Sequence, residues 1–499
     1  PLFRSYLLFG GDHGQVPAFS SNEQNSHVTD LNYACWTSGD NIPDCYYGRF
    51  SAQNANHLAP QISKSLMYEQ YTMPDPSYLG KAVLIAGTDD SWSSTHADGQ
   101  INYIYNNYIN TTTTEHNYTT VYKHNYNCSS QAATIRSEIG VGCGWANYTA
   151  HGDVTEWYDP SFTTNHIAAM SNQDKYGVMI GNCCLTGKFN QECFGEALLR
   201  AEKKGAMAYI GASEVSYWNE DVYWAVGVRS SITANMNYQS NNLGAYDRIF
   251  HTHNESYDKW CTSLGGFLTA GNLGVQSSSS NLKKYYWEIY HIFGDPSIRP
   301  YLGIPTQISV NSADAIPMGT AQYSVNTVPH AYVALTYNGE VVAAAFANAS
   351  GSANLDISNI NTPGEYELAV GAQNHIQFFK TVNIIVPSGP FVVATNVTLA
   401  ENNYPVSGTD VNMDLSLTNL GVANASNITA TMISQTPGFI VTQGSASCSA
   451  LAVNGSQAFD NAFTVSIPQD AQDGEVANFQ VTVNWGSGSS TKNVSFALF

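Results

Sequence analysis

Short apolar runs separated by polar, glycine-containing stretches recur through residues 1–302. The segments 6–9, 82–86, 145–148, 177–180 and 206–210 are mostly apolar. They are too short for helices and too continuous for half-exposed strands, which predicts strands buried on both faces. Between them the period changes. Phe194, Ala197, Leu198 and Ala201 share one face of a helix predicted over 194–204, which Lys203-Lys204-Gly205 closes with a cationic last turn and a glycine stop. A second helix is predicted over 282–293. Strands alternating with helices predict an α/β domain, with a mostly parallel sheet and flanking helices.

Beyond Pro300 the pattern becomes all-β. Residues 332–342 read as a hairpin turning at Asn338-Gly339. Pro387-Ser388-Gly389-Pro390 reads as a linker. After it Val411, Met413, Leu415 and Leu417 alternate with polar residues, and short strands continue to the end. The expected organisation is an α/β domain over 1–302, an Ig-like β-sandwich over 303–388 and a second over 389–499.

Charge narrows the function. Charged residues make up 12% of the 499, about half the usual share, and the net charge is −20. Tyr, Asn, Ser, Thr and Gly fill the surface instead, which suits a secreted β-rich protein. A polyanion attracts neither nucleic acid nor anionic membrane. Its surplus carboxylates suit calcium or cationic substrates. No apolar run approaches the ~18 residues of a membrane span. Nine cysteines leave at least one unpaired; Cys35 with Cys45, or Cys128 with Cys143, could bridge. The chain opens at Pro1 with no initiator Met and no signal-type segment, so the interior of a longer precursor is expected.

Candidate chemistry lies at strand ends, where open parallel sheets bind ligands. Asp12, Asp89, Asp90, His151, Cys184 and Ser213 each follow a predicted strand. A Cys and a His at neighbouring strand ends are the minimum parts of a thiolate nucleophile with an imidazole partner. The imidazole needs a group to fix its tautomer, and a carboxylate such as Asp89 can do so. The backbone N–H groups of Gly152 and Cys184 are candidates for an oxyanion hole, a glycine letting substrate approach the chain closely. Cys183 reads instead as a buried strand-end residue, since free Cys packs like a small hydrophobe. Asp90 competes with Asp89, and Asp221 could be a solvated acid beside Glu220.

Four ordered motifs carry a resemblance. Ala150-His151-Gly152, Gly181-Asn182-Cys183-Cys184, Cys193-Phe194-Gly195-Glu196 and Phe293-Gly294-Asp295-Pro296-Ser297 together resemble the gingipain cysteine peptidases, family C25, over roughly residues 1–390. The likeness is closer to the lysine-specific than to the arginine-specific members. It implies a caspase-like fold, Cys184 as nucleophile, His151 as its partner and Asp89 as third member. Tyr217-Trp218-Asn219-Glu220-Asp221 is similar to the lysine-pocket segment: Asp221 would receive the ammonium, Thr149 would add a hydroxyl, and Trp218 would cover the alkyl stem. A lone carboxylate suits an ammonium, whereas a guanidinium prefers a bidentate fork. The resemblance also implies calcium, held by Asp40, Asp44 and the Ile42 carbonyl, with Asp12 in a second site. Ser38 and Asp44 replace longer or more acidic family ligands, and Gly14 stands where another Asp would help.

The expected function is a secreted or cell-surface cysteine endopeptidase, exported across a bacterial outer membrane, that cleaves proteins after lysine and uses no organic cofactor. Two rivals remain: a sortase-like transpeptidase with the same residues, and an adhesion or scaffold protein with an inactive peptidase domain. After Lys380 only Lys492 follows, and no Arg; the expected consequence is protection of the C-terminal modules from self-cleavage.

Overall fold

The computed structural model describes residues 6–37, 39–112, 116–486 and 488–498. It divides into two compact units, residues 1–307 with 373–376, and residues 308–372 with 377–499.

Among the described residues of the first unit, eight strands form one sheet. In chain order they are β1 (Tyr6–Gly10), β2 (Tyr46–Phe50), β3 (Lys81–Ala86), β4 (Thr120–His124), β5 (Trp145–Thr149), β6 (Val178–Asn182), β7 (Ala208–Ala212) and β8 (Tyr290–Phe293), and they lie side by side as β1-β2-β8-β7-β6-β5-β3-β4. The five strands from β7 to β4 are mutually parallel. β8 runs antiparallel to β7, and β2 and β1 follow the direction of β8. The sheet is thus two parallel blocks of opposite direction. Every residue of β5, β6 and β7 is buried, as continuous apolar runs require.

All five predicted strands form, the last two about two residues further along than their apolar cores suggested. The helix predicted over 194–204 stops at Arg200, as α4 below. Residues 282–293 split: Lys283–Ile289 is helical, and Tyr290–Phe293 becomes β8. Strands β2 and β4 carry Arg49, Lys123 and His124, which broke the apolar pattern that would have revealed them. The helices of this unit include α1 (Ala55–Glu69), α2 (Asp98–Asn107), α3 (Ala132–Gly140), α4 (Phe194–Arg200) and α5 (Trp218–Val226). Among the described residues no helix is long and apolar enough to cross a membrane.

The second unit is all-β. Among its described residues are a three-stranded and a five-stranded sheet, followed by two four-stranded sheets. The predicted hairpin is present, Tyr332–Tyr337 against Glu340–Phe346, with Asn338 and Gly339 both at positive φ as a tight primed turn demands. Asp410–Asn419 alternates between buried and partly exposed residues, the two-residue period of a strand with one face on a core. One hydrophobic cluster runs from Ile308 to Leu498, so the division expected near residue 389 falls inside a shared core. All nine cysteines carry free thiols, Cys35, Cys45, Cys128 and Cys143 included.

Candidate active site

Three adjacent strands deliver the candidate residues to one rim. Ala86 of β3 pairs with Thr149 of β5, and Thr149 pairs with Asn182 of β6. Asp89, His151 and Cys184 follow these paired positions by a few residues each. Neighbouring strands lie about 4.8 Å apart, so the three leave the sheet side by side.

Asp89 Oδ2 lies 2.9 Å from His151 Nε2. Its Oδ1 accepts the amides of Ser91 at 2.8 Å and Trp92 at 2.7 Å. Partial burial works to raise the Asp89 pKa, but the hydrogen bonds from His151, Trp92 and Ser91 prevail and hold it below its ordinary value. An ionised carboxylate only accepts, so Nε2 carries the ring proton of a neutral His151 and Nδ1 keeps its lone pair. The Trp218 ring meets the imidazole edge-on, with centroids 5.5 Å apart and planes at 81°. Asp90 is exposed.

The cysteine doublet separates by burial. Cys183 is fully buried, its Sγ 3.6 Å from Thr186 Oγ1. Cys184 is half-buried, and its thiol donates to the Ser216 carbonyl at 3.7 Å. Burial raises the Cys184 pKa against the hydrogen bond at Ser216, and the Asp221 charge adds to the rise. The resting sulfur is therefore a thiol, and a cationic partner is needed to make it a thiolate. Leu185 follows at φ +64°, a left-handed conformation that is rare for a bulky residue and turns the chain sharply behind the sulfur.

Gly152 has a steric role in the site. A Cβ there would lie 2.7 Å from both Cys183 Sγ and the Cys184 carbonyl oxygen. The missing side chain lets the histidine loop close on the cysteine loop. Tyr158 N–H donates to the His151 carbonyl, which makes Gly152 and Trp157 a non-hydrogen-bonded pair of their hairpin and directs the Gly152 N–H away from it.

Beneath the rim lies a buried polar network that sequence reasoning largely missed. Asp221, on the first turn of α5, is 4% exposed, not a solvated acid. Its Oδ2 accepts Ser216 Oγ at 2.7 Å, and its Oδ1 accepts the hydroxyls of Tyr286 at 2.9 Å and Tyr290 at 2.8 Å. Burial outweighs these bonds and pushes its pKa up to about 7. The Tyr290 hydroxyl also lies against Asn182 Oδ1, so Asp221 and Asn182 share its one hydrogen, and the Asn182 amide donates to Gln100 Oε1 and to the Asp221 carbonyl. Gln100 in turn donates to Thr149 Oγ1 at 3.0 Å. Thr149 and Asp221 thus belong to one network, joined through Gln100, Asn182 and Tyr290. Trp224 is a core aromatic, stacked on Tyr290. Ser213 is buried and donates to the Val28 carbonyl.

The expected calcium ligands are engaged with groups of the protein. Both Asp44 oxygens are committed within their own loop, to the amides of Trp36 and Thr37 and to the Thr37 hydroxyl. Asp40 Oδ1 accepts the Ile42 amide at 3.1 Å, and Ser38 lies outside the described residues. Asp12 follows β1, in the block of opposite direction, so it sits at the far end of the sheet from Cys184. There Arg200 Nη2 lies 3.6 Å from Asp12 and 2.7 Å from Glu196, and a guanidinium supplies the positive charge. Among the described residues no group of three or more acidic, His or Cys side chains could hold a metal ion. Calcium takes six to eight oxygens, carbonyls among them, and the Asp40 and Asp44 carboxylates here bond groups of their own loop.

An eight-stranded α/β sheet with an Asp–His pair beside a strand-end cysteine defines the class, and the chain belongs to peptidase family C25, whose profile matches residues 3–301. It is 37% identical over 411 residues to the lysine gingipain of Porphyromonas gingivalis W83, and 24% identical over 409 residues to gingipain R1 of the same species; each alignment covers 81% of the chain. The chain spans 23% of the length of that lysine gingipain. A solved protease structure superposes with a TM-score of 0.66 at 35% identity, covering 76% of this chain and 83% of that one. The arginine-specific cysteine proteinase gingipain R superposes with a TM-score of 0.63 at 21% identity, covering 76% and 84%, which speaks for the fold alone.

Proposed function

We propose that the chain is a secreted cysteine endopeptidase that cleaves after lysine. The observation that carries this reading is the 2.9 Å pair of Asp89 and His151 on the strand end beside the partly exposed Cys184. Asp89 orients the ring through Nε2, so Nδ1 takes the thiol proton. The Cys184 thiolate attacks the peptide carbonyl and forms the C–S bond. The oxyanion is received by the N–H groups of Gly152 and Cys184. His151 then protonates the departing amine as the C–N bond breaks. Water, activated by the same imidazole, hydrolyses the thioester and regenerates the thiol.

Lysine preference rests on Asp221. Among the described residues three hydroxyls but no cationic side chain bind its carboxylate. An ammonium at that point would be its first countercharge, with Thr149 on the same network and Trp218 along the alkyl stem. The 37% identical relative is named for lysine. Calcium stays a proposal only for the loop of Asp40, Ile42 and Asp44, and Asp44 would have to release its own amides to bind it. We read the two sheet pairs of the second unit as Ig-like sandwiches that stabilise or position the enzyme.

Cleavage of a peptide library tests the reading. Wild type should cut predominantly after lysine, and Asp221→Asn should lose that preference while still alkylating at Cys184. Cleavage with no basic preference in wild type would overturn the pocket assignment.

A further inference from the structure

His96 lies outside the expected catalytic set, yet it joins two of the elements that hold that set. The turn that begins at Asp89 passes through Trp92, whose amide donates to Asp89 Oδ1 at 2.7 Å. It continues as a single π-turn over Ser93–Ala97, a wide turn frequent at functional sites. His96 sits in this turn, 6% exposed. Its Nδ1 lies 2.9 Å from Thr95 Oγ1, and its Nε2 lies 3.0 Å from Asn219 Oδ1. Asn219 is on the first turn of α5, between Trp218 and Asp221. The His96 ring also meets Trp92 edge-on at 4.8 Å and Trp218 at 6.3 Å. Trp218 in turn meets the His151 ring at 5.5 Å, and His151 bonds Asp89. The contacts close a circuit: Asp89, Trp92, His96, Trp218, His151 and back to Asp89.

We propose that His96 is a positioning residue for His151. It clips the first turn of α5 to the Asp89 turn and so fixes the Trp218 edge against the imidazole. Asp89 alone holds His151 at one nitrogen, which leaves the ring free to rotate about that bond. Trp218 supplies the second constraint, and Trp218 is half-exposed at a helix start, where nothing in its own backbone fixes its χ angles. His96 holds it from behind, by ring contact and through the neighbouring Asn219. The same clip ties the helix that carries Asp221 to the turn that carries Asp89. This inference rests on the catalytic reading of Cys184 and His151 given above.

The test is the pH profile of Cys184 alkylation by iodoacetamide, mapped by peptide mass, together with kcat and KM on a lysyl peptide. A looser imidazole stabilises the thiolate less, so His96→Ala should move the alkylation midpoint upward by about one pH unit and lower kcat about tenfold. His96→Gln, whose amide can still reach Asn219, should regain most of both. Asn219 is exposed, so Asn219→Ala should fold even if His96→Ala does not, and should shift the profile in the same direction. Profiles and kcat matching wild type in a folded His96→Ala, or in Asn219→Ala, would overturn the inference and leave a purely structural histidine. Failure of wild type itself to alkylate preferentially at Cys184 would instead overturn the catalytic reading.

Discussion

Asp221 ties the proposed lysine pocket to stability. An aspartate in an unfolded chain loses its proton near pH 4, whereas the folded protein holds the Asp221 proton up to about pH 7. Between these values the folded chain binds more protons than the unfolded one, so this group's contribution to stability falls as pH rises and the cost is complete above pH 7. Asp221→Asn should therefore stabilise the protein at pH 8, by roughly 1–3 kcal/mol, and leave it unchanged near pH 4, as denaturant melts at the two pH values would report. Ammonium binding favours the ionised form. The KM of wild type for lysyl peptides should accordingly fall about tenfold between pH 6 and pH 8; a flat KM would contradict the pocket. At this scale the sequence was informative. Cys184, His151 and Asp89 each follow an apolar run, and the structure puts all three at neighbouring strand ends. Tyr286 and Tyr290 were not legible as ligands of Asp221, because one lies within a short helix and the other begins a strand, in a segment whose pattern read as one continuous helix.

Elements explain why Asp12 does not join the others. A rule about strand ends selects residues at one rim only when the strands run the same way. Here β1, β2 and β8 run against the other five, a consequence of long-range pairing that no local pattern encodes. At that opposite end Ser51 Oγ, Glu196 and Arg200 form a buried cluster, with Ser51 2.5 Å and Arg200 2.7 Å from Glu196 Oε1. Arg200 also donates to the Ser51 carbonyl, tying β2 to α4. Removing one partner strands a buried charge. Glu196→Gln should cost about 3 kcal/mol in a denaturant melt, without changing the second-order rate of Cys184 alkylation in the folded protein. A matching loss of alkylation rate would mean that the far rim and the active rim are coupled.

At the scale of the whole molecule, charge and lysine content act together. A net charge of −20 draws cationic peptides toward the protein over distances that salt screens. Lys380 and Lys492 are the only Lys or Arg from position 380 onward. Both are engaged: Lys380 pairs with Asp314 at 2.7 Å, and the Lys492 ammonium donates to the Thr395 carbonyl. Prolonged incubation of active enzyme should give fragments cut within residues 1–380, with 381–491 intact by mass mapping; early cuts inside that stretch would contradict a lysine-directed peptidase. The change from α/β to all-β was legible near Pro300 from period alone. The core shared by the two sheet pairs was not, since alternation along a strand marks a buried face without saying which sheet covers it.

The proposed reacting atom is the sulfur of Cys184, made nucleophilic by His151. The most direct test is covalent trapping with a lysyl acyloxymethyl ketone, followed by peptide mass mapping of all nine cysteines. One modification is expected, at Cys184, abolished by His151→Ala and slowed by Asp89→Asn. Modification at Cys183, or equal labelling of Cys184 in wild type and in His151→Ala, would contradict it.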